Sequence, residues 1–341
     1  MMRPHRRQLM WLSLLSLFAC SASVAATTGK SAMATQREAL FHHLKEERGL
    51  SDAQMAAVEA VFGGSPYIGQ GNPAITEHPV SPQECRKQMD EEGIVYANPE
   101  FEAICGAKYM APLYDPEHQS PGDATVCIDQ FEFPDIPCVY PVVWVRAREA
   151  AELCAAVGER LCDAHEWEGA CAGRLQPPDY RFELTRGLSP SAAIARMRAV
   201  HNRADEPDKR WSYGPEYRTG VCAADSHKSP GCPGGGWTKC GSNTYPDGSF
   251  PGCHSPLGVY DLNGNAAEHM NLPLDPAQMA SRGSTSLGYT EMKGSWFIFD
   301  SYRAHPDWCR WRAPYWHGSR VMDPDSHRNY HLGFRCCKTL H

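Results

Sequence analysis

The chain has 341 residues, 42% of them hydrophobic, with 33 Lys and Arg against 40 Asp and Glu, a net charge of −7. That balance leaves no electrostatic footprint for nucleic acid or an anionic membrane surface, and the length suits one large domain with an appendage or two small ones. The 15 cysteines are the unusual feature.

The first residues speak to the compartment. Arg3, His5, Arg6 and Arg7 precede an apolar run from Leu9 to Ala19, followed by the small residues Ser21, Ala22, Ser23, Val24 and Ala25. This pattern reads as a signal peptide over residues 1–25, and its apolar core is too short for a permanent membrane span. Ser23-Val24-Ala25 fits cleavage after Ala25, whereas Leu17-Phe18-Ala19-Cys20 is similar to a bacterial lipobox that would place lipid on Cys20. Phe18 is unusual in a lipobox and favours release. The expected location is the periplasm or envelope of a bacterium, with a membrane contact only through such a lipid. Without Arg3, Arg6 and Arg7 the mature chain lies near −10. Without Cys20, 14 cysteines remain, an even set with no C-x-x-C, which predicts disulfides rather than a zinc ribbon or a thioredoxin-like motif.

Residues 26–64 read as a linker and a helical hairpin. Leu40, Phe41 and Leu44 give Gln36–Arg48 helical spacing, and Ser51-x-x-Gln54 is a capping box for a second helix to Phe62, stopped by Gly63-Gly64. The hairpin is either a docking element or an arm packed on the main domain. Residues 65–120, rich in Pro and Gly, read as irregular, with Cys85 and Cys105 in one disulfide. Short β-type runs follow at Val126–Phe133 and Tyr140–Val145, then helices at Arg148–Val157 and, from an Asp cap, Asp163–Ala172. Residues 218–258 are a long loop that Cys222, Cys232, Cys240 and Cys253 are placed to hold. The predicted class is α+β, with little regular secondary structure.

Three segments carry a family resemblance. Arg148-Glu149-Ala150-Ala151-Glu152-Leu153-Cys154 and Arg160-Leu161-Cys162-Asp163-Ala164-His165-Glu166-Trp167-Glu168 form the first. Gly258-Val259-Tyr260-Asp261-Leu262-Asn263-Gly264-Asn265-Ala266-Ala267-Glu268 is the second. Lys293-Gly294-Ser295-Trp296, Cys309-Arg310-Trp311-Arg312 and the terminal Gly333-Phe334-Arg335-Cys336 make the third. In this order they resemble the formylglycine-generating enzyme (sulfatase-modifying factor) family over residues 121–341.

The resemblance implies a C-type-lectin-like core and bound calcium, with Asp261, Gly264, Ala266 and Glu268 at one site's positions and Asn202 matching the start of a second. All-oxygen donors on a Gly-containing turn suit that ion. It also implies disulfides from Cys154 to Cys336 or its neighbour Cys337, and from Cys171 to Cys309. Copper-using members hold Cu(I) between two cysteines spaced C-x-x-x-x-C shortly after the Gly-Ser motif. Here Trp296, Phe297, Ile298 and Phe299 follow Ser295, and no Cys occurs before Cys309, so the resemblance does not extend to that copper site. Ser295, Trp296 and Cys309 remain the weak catalytic candidates. A mononuclear metal site could also draw on His305, His317, His327 and His331 with Asp300, Asp307, Asp323 and Asp325. Trp296, Trp308, Trp311, Tyr315 and Trp316 suit either an aromatic-lined groove or a core. Two functions are expected: a metal-dependent oxidoreductase acting on a peptide or siderophore-like substrate, or a non-catalytic calcium-stabilised scaffold that binds a peptide, glycan or small molecule in its C-terminal pocket.

Overall fold

The computed structural model describes residues 31–313 and 318–340; the signal peptide with Cys20, together with Tyr315, Trp316 and His317, lies outside them. From Ala32 onward the chain is one unit. It opens with helices α1 (Ala32–Glu46) and α2 (Asp52–Gly63). Ser51 and Gln54 cap α2 reciprocally: the Gln54 N–H donates to Ser51 Oγ at 3.3 Å and the Ser51 N–H to Gln54 Oε1 at 3.0 Å. Leu40, Leu44, Met55, Val58 and Phe62 are buried in one cluster with Leu153 and Phe334, so the hairpin is a packing arm. Arg48 fastens it, its guanidinium reaching Asp129 at 3.0 Å, Glu159 at 2.9 Å and the Pro134 carbonyl at 2.9 Å.

The stretch from 65 to 120, expected to be irregular, holds two helices and a strand: α3 (Pro82–Glu92), α4 (Pro99–Cys105) and β1 (Met110–Leu113). Both helices start with local capping, at Ser81 with Glu84 and at Asn98, and end at Gly93 and Gly106 in the left-handed region. Helix α3 buries only Cys85 in an otherwise polar sequence and α4 is 7 residues long, so neither shows a hydrophobic periodicity. Cys85 and Cys105 do not pair together; they bond Cys138 and Cys127. That makes two staples from this segment into the body.

Strand β2 is confined to Val126–Asp129, and residues 140–145 contribute only a bridge between Val143 and Gly69. Helices α5 (Ala147–Ala156) and α6 (Ala164–Ala172) flank β3 (Arg160–Leu161), and α7 (Pro190–Asp205) is a 16-residue helix with no counterpart in the sequence reading. Asp163 stands at the N-cap of α6, but its carboxylate turns away to the Ala280 and Ser281 amides and to Asn271; Glu166 satisfies the Asp163 N–H instead.

Strands β4 (Ala267–Leu272), β5 (Tyr289–Lys293), β6 (Leu332–Phe334) and β7 (Cys336–Thr339) complete two small sheets. One is antiparallel in the order β1-β2-β7-β3; the other has the order β5-β4-β6, with β4 antiparallel to β5 and parallel to β6. The chain passes from one sheet to the other between β6 and β7. Arg335 sits at that corner and is fully buried. It donates to Glu268 at 2.7 and 2.8 Å and to the Asp129, Gln130 and Tyr260 carbonyls at 2.9–3.1 Å. Disulfides Cys154–Cys336 and Cys162–Cys337 anchor the same strand from α5 and from the start of α6. Cys222–Cys253 and Cys232–Cys240 hold the long loop. The class is α+β.

Candidate functional site

The cysteines come first, since thiol chemistry depends on them. All 14 among the described residues are consumed in seven disulfides, and Cys309 is bonded to Cys171. Cys309 is therefore neither a nucleophile nor a soft metal ligand in this state.

Ser295 and Trp296 are neighbours in sequence but face different spaces. The buried Ser295 hydroxyl donates to Asp307 at 3.0 Å, and the Trp211 indole N–H donates to the other Asp307 oxygen at 2.8 Å. Burial pushes the Asp307 carboxyl up to about 6, against the pull of these two donors. Around this pair the enclosed space, lined also by Tyr213, Tyr217 and Asp300, is about 10 Å³, too tight for an organic substrate.

Trp296 instead lines a cavity of about 300 Å³ with Tyr302, His305, Tyr330, His331 and Lys228. His331 stacks on Trp296 with ring centres 4.9 Å apart, and His305 stacks on Trp311 at 4.9 Å. The Tyr302 ring is 55% exposed and carries the Lys228 ammonium 5.4 Å from its centre. Flat apolar faces with a polar rim are what a small-ligand pocket requires. Trp308, by contrast, is buried. Among the described residues, His305, His327 and His331 form no three-ligand group with Asp300, Asp307, Asp323 or Asp325.

Besides Asp129, Asp135 and Glu159, which Arg48 holds, two further groups of carboxylates stand near the motif residues. In the first, Glu168 accepts from Arg312 at 2.9 and 3.1 Å and from Lys293 at 2.5 Å, while Arg312 also donates to Asp179 at 2.7 Å. His201 adds a contact to Asp179 and, at 3.6 Å, to Glu168. Burial alone would raise Glu168, but the Arg312, Lys293 and His201 charges outweigh it and hold the carboxyl well below the usual range.

The second group is Glu132, Asp247 and Asp261, each offering an oxygen within 4.8 Å of the others and each at most 2% exposed. Glu132 accepts from the Ala266 N–H and the Asn265 side chain, both at 2.6 Å. Asp261 accepts from the Gly248 N–H at 2.7 Å. Among the described residues no donor reaches either Asp247 oxygen, and the Glu132 carboxylate lies within hydrogen-bonding reach of it. Burial is the main cause of a large upward push on all three, taking Asp261 to about 7; on Glu132 and Asp247 their neighbours' charges add to it.

The positions that the resemblance implies for calcium have these surroundings. Asp261 lies in the acidic trio, and Ala266 presents its N–H to Glu132. Gly264 packs so closely that a Cβ there would lie 2.7 Å from the Ala223 carbonyl, and its φ of +114 suits only glycine. Glu268 spends both oxygens on Arg335 and takes the Trp167 indole N–H at 3.1 Å. Asn202 holds the Arg312 main chain through both ends of its amide, at 2.8 and 2.9 Å. An oxygen-only donor set fits a hard cation at Asp261 and fits copper poorly. Glu132 and Asp247 were not singled out by sequence; the signal available was Glu132 between Phe131 and Phe133, a charge inside an apolar run.

A family model described as the sulfatase-modifying factor enzyme 1-like domain matches residues 72–340, reaching back across α3, α4 and β1. No curated protein matches the chain. Among solved structures, CarF is similar with a TM-score of 0.35 at 11% identity, covering 68% of this chain and 98% of CarF. The match over residues 72–340, which spans β3, α6, β4 and the Arg335 corner, shows that the chain belongs to the sulfatase-modifying factor (formylglycine-generating enzyme-like) family.

Proposed function

We propose that this member of the family is an exported binding scaffold, with calcium as a structural ion and the aromatic pocket around Trp296 as its ligand site. The observation that supports it most is the Cys171–Cys309 disulfide, together with the apolar Trp296–Phe299 run where copper-using relatives of the family carry thiolates. A Cu(I)-dependent oxidation needs two soft sulfur ligands, and the described chain has none free. Seven disulfides fit an oxidising compartment, and among the described residues no helix is long and apolar enough to cross a membrane. In the pocket, Trp296, Tyr302, Tyr330 and the two imidazoles offer stacking faces, and Lys228 a charged rim. A peptide side chain, a glycan ring or a flat small molecule meets such a surface well.

The test is an alkylated, non-reducing peptide map of the purified mature protein, run beside an aerobic copper-supplemented assay on a cysteine-containing sulfatase peptide. The scaffold reading expects no alkylated cysteine and no aldehyde product. A free Cys309 thiol, or turnover of the peptide, would return the protein to the oxidases.

A further inference from the structure

We propose that Glu132, Asp247 and Asp261 together hold one hard divalent cation, for which calcium is the fitting ion, and that Glu268 is not among its ligands. This rests on the reading of calcium as a structural ion and adds two ligands from outside the Gly-Asn turn. Asp247 carries the argument. It is fully buried, no donor among the described residues reaches either of its oxygens, and its carboxylate lies against two others. An ionised carboxylate buried in that way costs several kcal/mol unless a positive charge meets it.

Among the described residues no side chain pairs with it. Among the described residues none of the three is in an ion pair, and the Arg335 guanidinium, whose charge reaches the trio, is committed to Glu268 and to three carbonyls. The three groups come from separate segments: the stretch after β2, the long disulfide-held loop, and the turn before β4. Each is held in place without the ion. The Asp247 main chain exchanges hydrogen bonds with Cys138 at 2.8 Å and Val139 at 2.9 Å, and the Cys85–Cys138 disulfide fixes that partner. Asn265 and Ala266 orient Glu132, and the Gly248 N–H orients Asp261. Oxygen donors pre-positioned with uncompensated negative charge are the requirement for a tight calcium site. Such an ion would tie the long loop to the sheets.

The experiment uses the full mature chain, freed of metal with EDTA, dialysed, and then titrated with calcium by calorimetry, with elemental analysis and thermal unfolding on the same samples. The wild type is expected to bind calcium and to unfold at higher temperature with it. Asp247→Asn is expected to lose at least about tenfold in affinity at one site. In EDTA at neutral pH the same variant is expected to unfold above the wild type, because the wild type must either bury that charge or take up a proton to neutralise it, and the amide needs neither. A merely structural aspartate would not give that reversal. Should Asp247→Asn fail to fold, Glu132→Gln carries the same expectation for affinity. Calcium binding undiminished in these variants overturns the assignment of this site while leaving a structural ion elsewhere. No calcium binding by the wild type overturns both, and means the trio is neutralised by protons.

Discussion

Two acidic clusters in this fold, one around Glu168 and one around Asp247, have opposite electrostatics. Around Glu168, two carboxylates meet Arg312, Lys293 and His201, and each charge has a partner within hydrogen-bond reach. Around Asp247, three carboxylates meet amides, and among the described residues no cation forms an ion pair with them; Arg335, whose charge reaches them, is bound to Glu268. The first is a closed circuit that the chain completes from its own residues. The second is open, and something from solution must close it. A group of acids in a core says little about metal by itself; the charge balance of the neighbours is what separates structure from site.

The largest expected effect comes from opening the closed circuit. Arg312→Met leaves Glu168 and Asp179 with too little positive charge and should destabilise the protein by about 3–5 kcal/mol, measured as a fall in the denaturant midpoint. Calcium should not rescue it. Rescue would mean that the two clusters are interchangeable, and the contrast would fail.

The pH dependence should separate the clusters by sign. In EDTA, the native state holds protons on the trio that the unfolded chain releases, with Asp261 raised from an ordinary 3.8 to about 7. Stability of the metal-free protein should therefore fall as pH rises from about 4 to 7, and calcium should remove that slope. The Glu168 and Asp179 carboxyls are lowered, so their contribution is full above the ordinary carboxylate range and is lost as pH falls below it. Melting temperatures across pH 3–8, with EDTA and with calcium, check both.

How far the sequence anticipates this contrast depends on whether the signal is local. The Ser51–Gln54 cap, α5 and α6 follow from local patterning and appear where expected. The motif residues Glu168, Glu268 and Arg335 also stand out, because they occur in strings peculiar to the family. What they touch does not. Glu268 reads as a calcium ligand in its turn, and only the fold brings Arg335, 67 positions later, to its carboxylate. Asp247 is one polar residue among many in a Gly- and Pro-rich loop, and only three-dimensional closure places it beside Glu132. The strands of the second sheet are buried on both faces, so they lack the alternation that marks a half-buried strand. Helix α3 is nearly all polar and declares itself by its cap alone.

The smallest expected effect is a surface control. Asp325 is highly exposed and pairs with Arg146 at 3.5 Å, so Asp325→Asn should change stability by less than about 0.5 kcal/mol and leave calcium binding unchanged. A larger effect would show that the loop from 318 to 331 is coupled to the ion.

The most direct measurement is a crystal structure of the calcium-free protein reloaded with a terbium or manganese salt and read by anomalous scattering. An anomalous peak is expected between Glu132, Asp247 and Asp261, and none among Glu168, Asp179 and His201. A peak at Glu268 with the trio empty, or no peak in either cluster, would contradict the assignment.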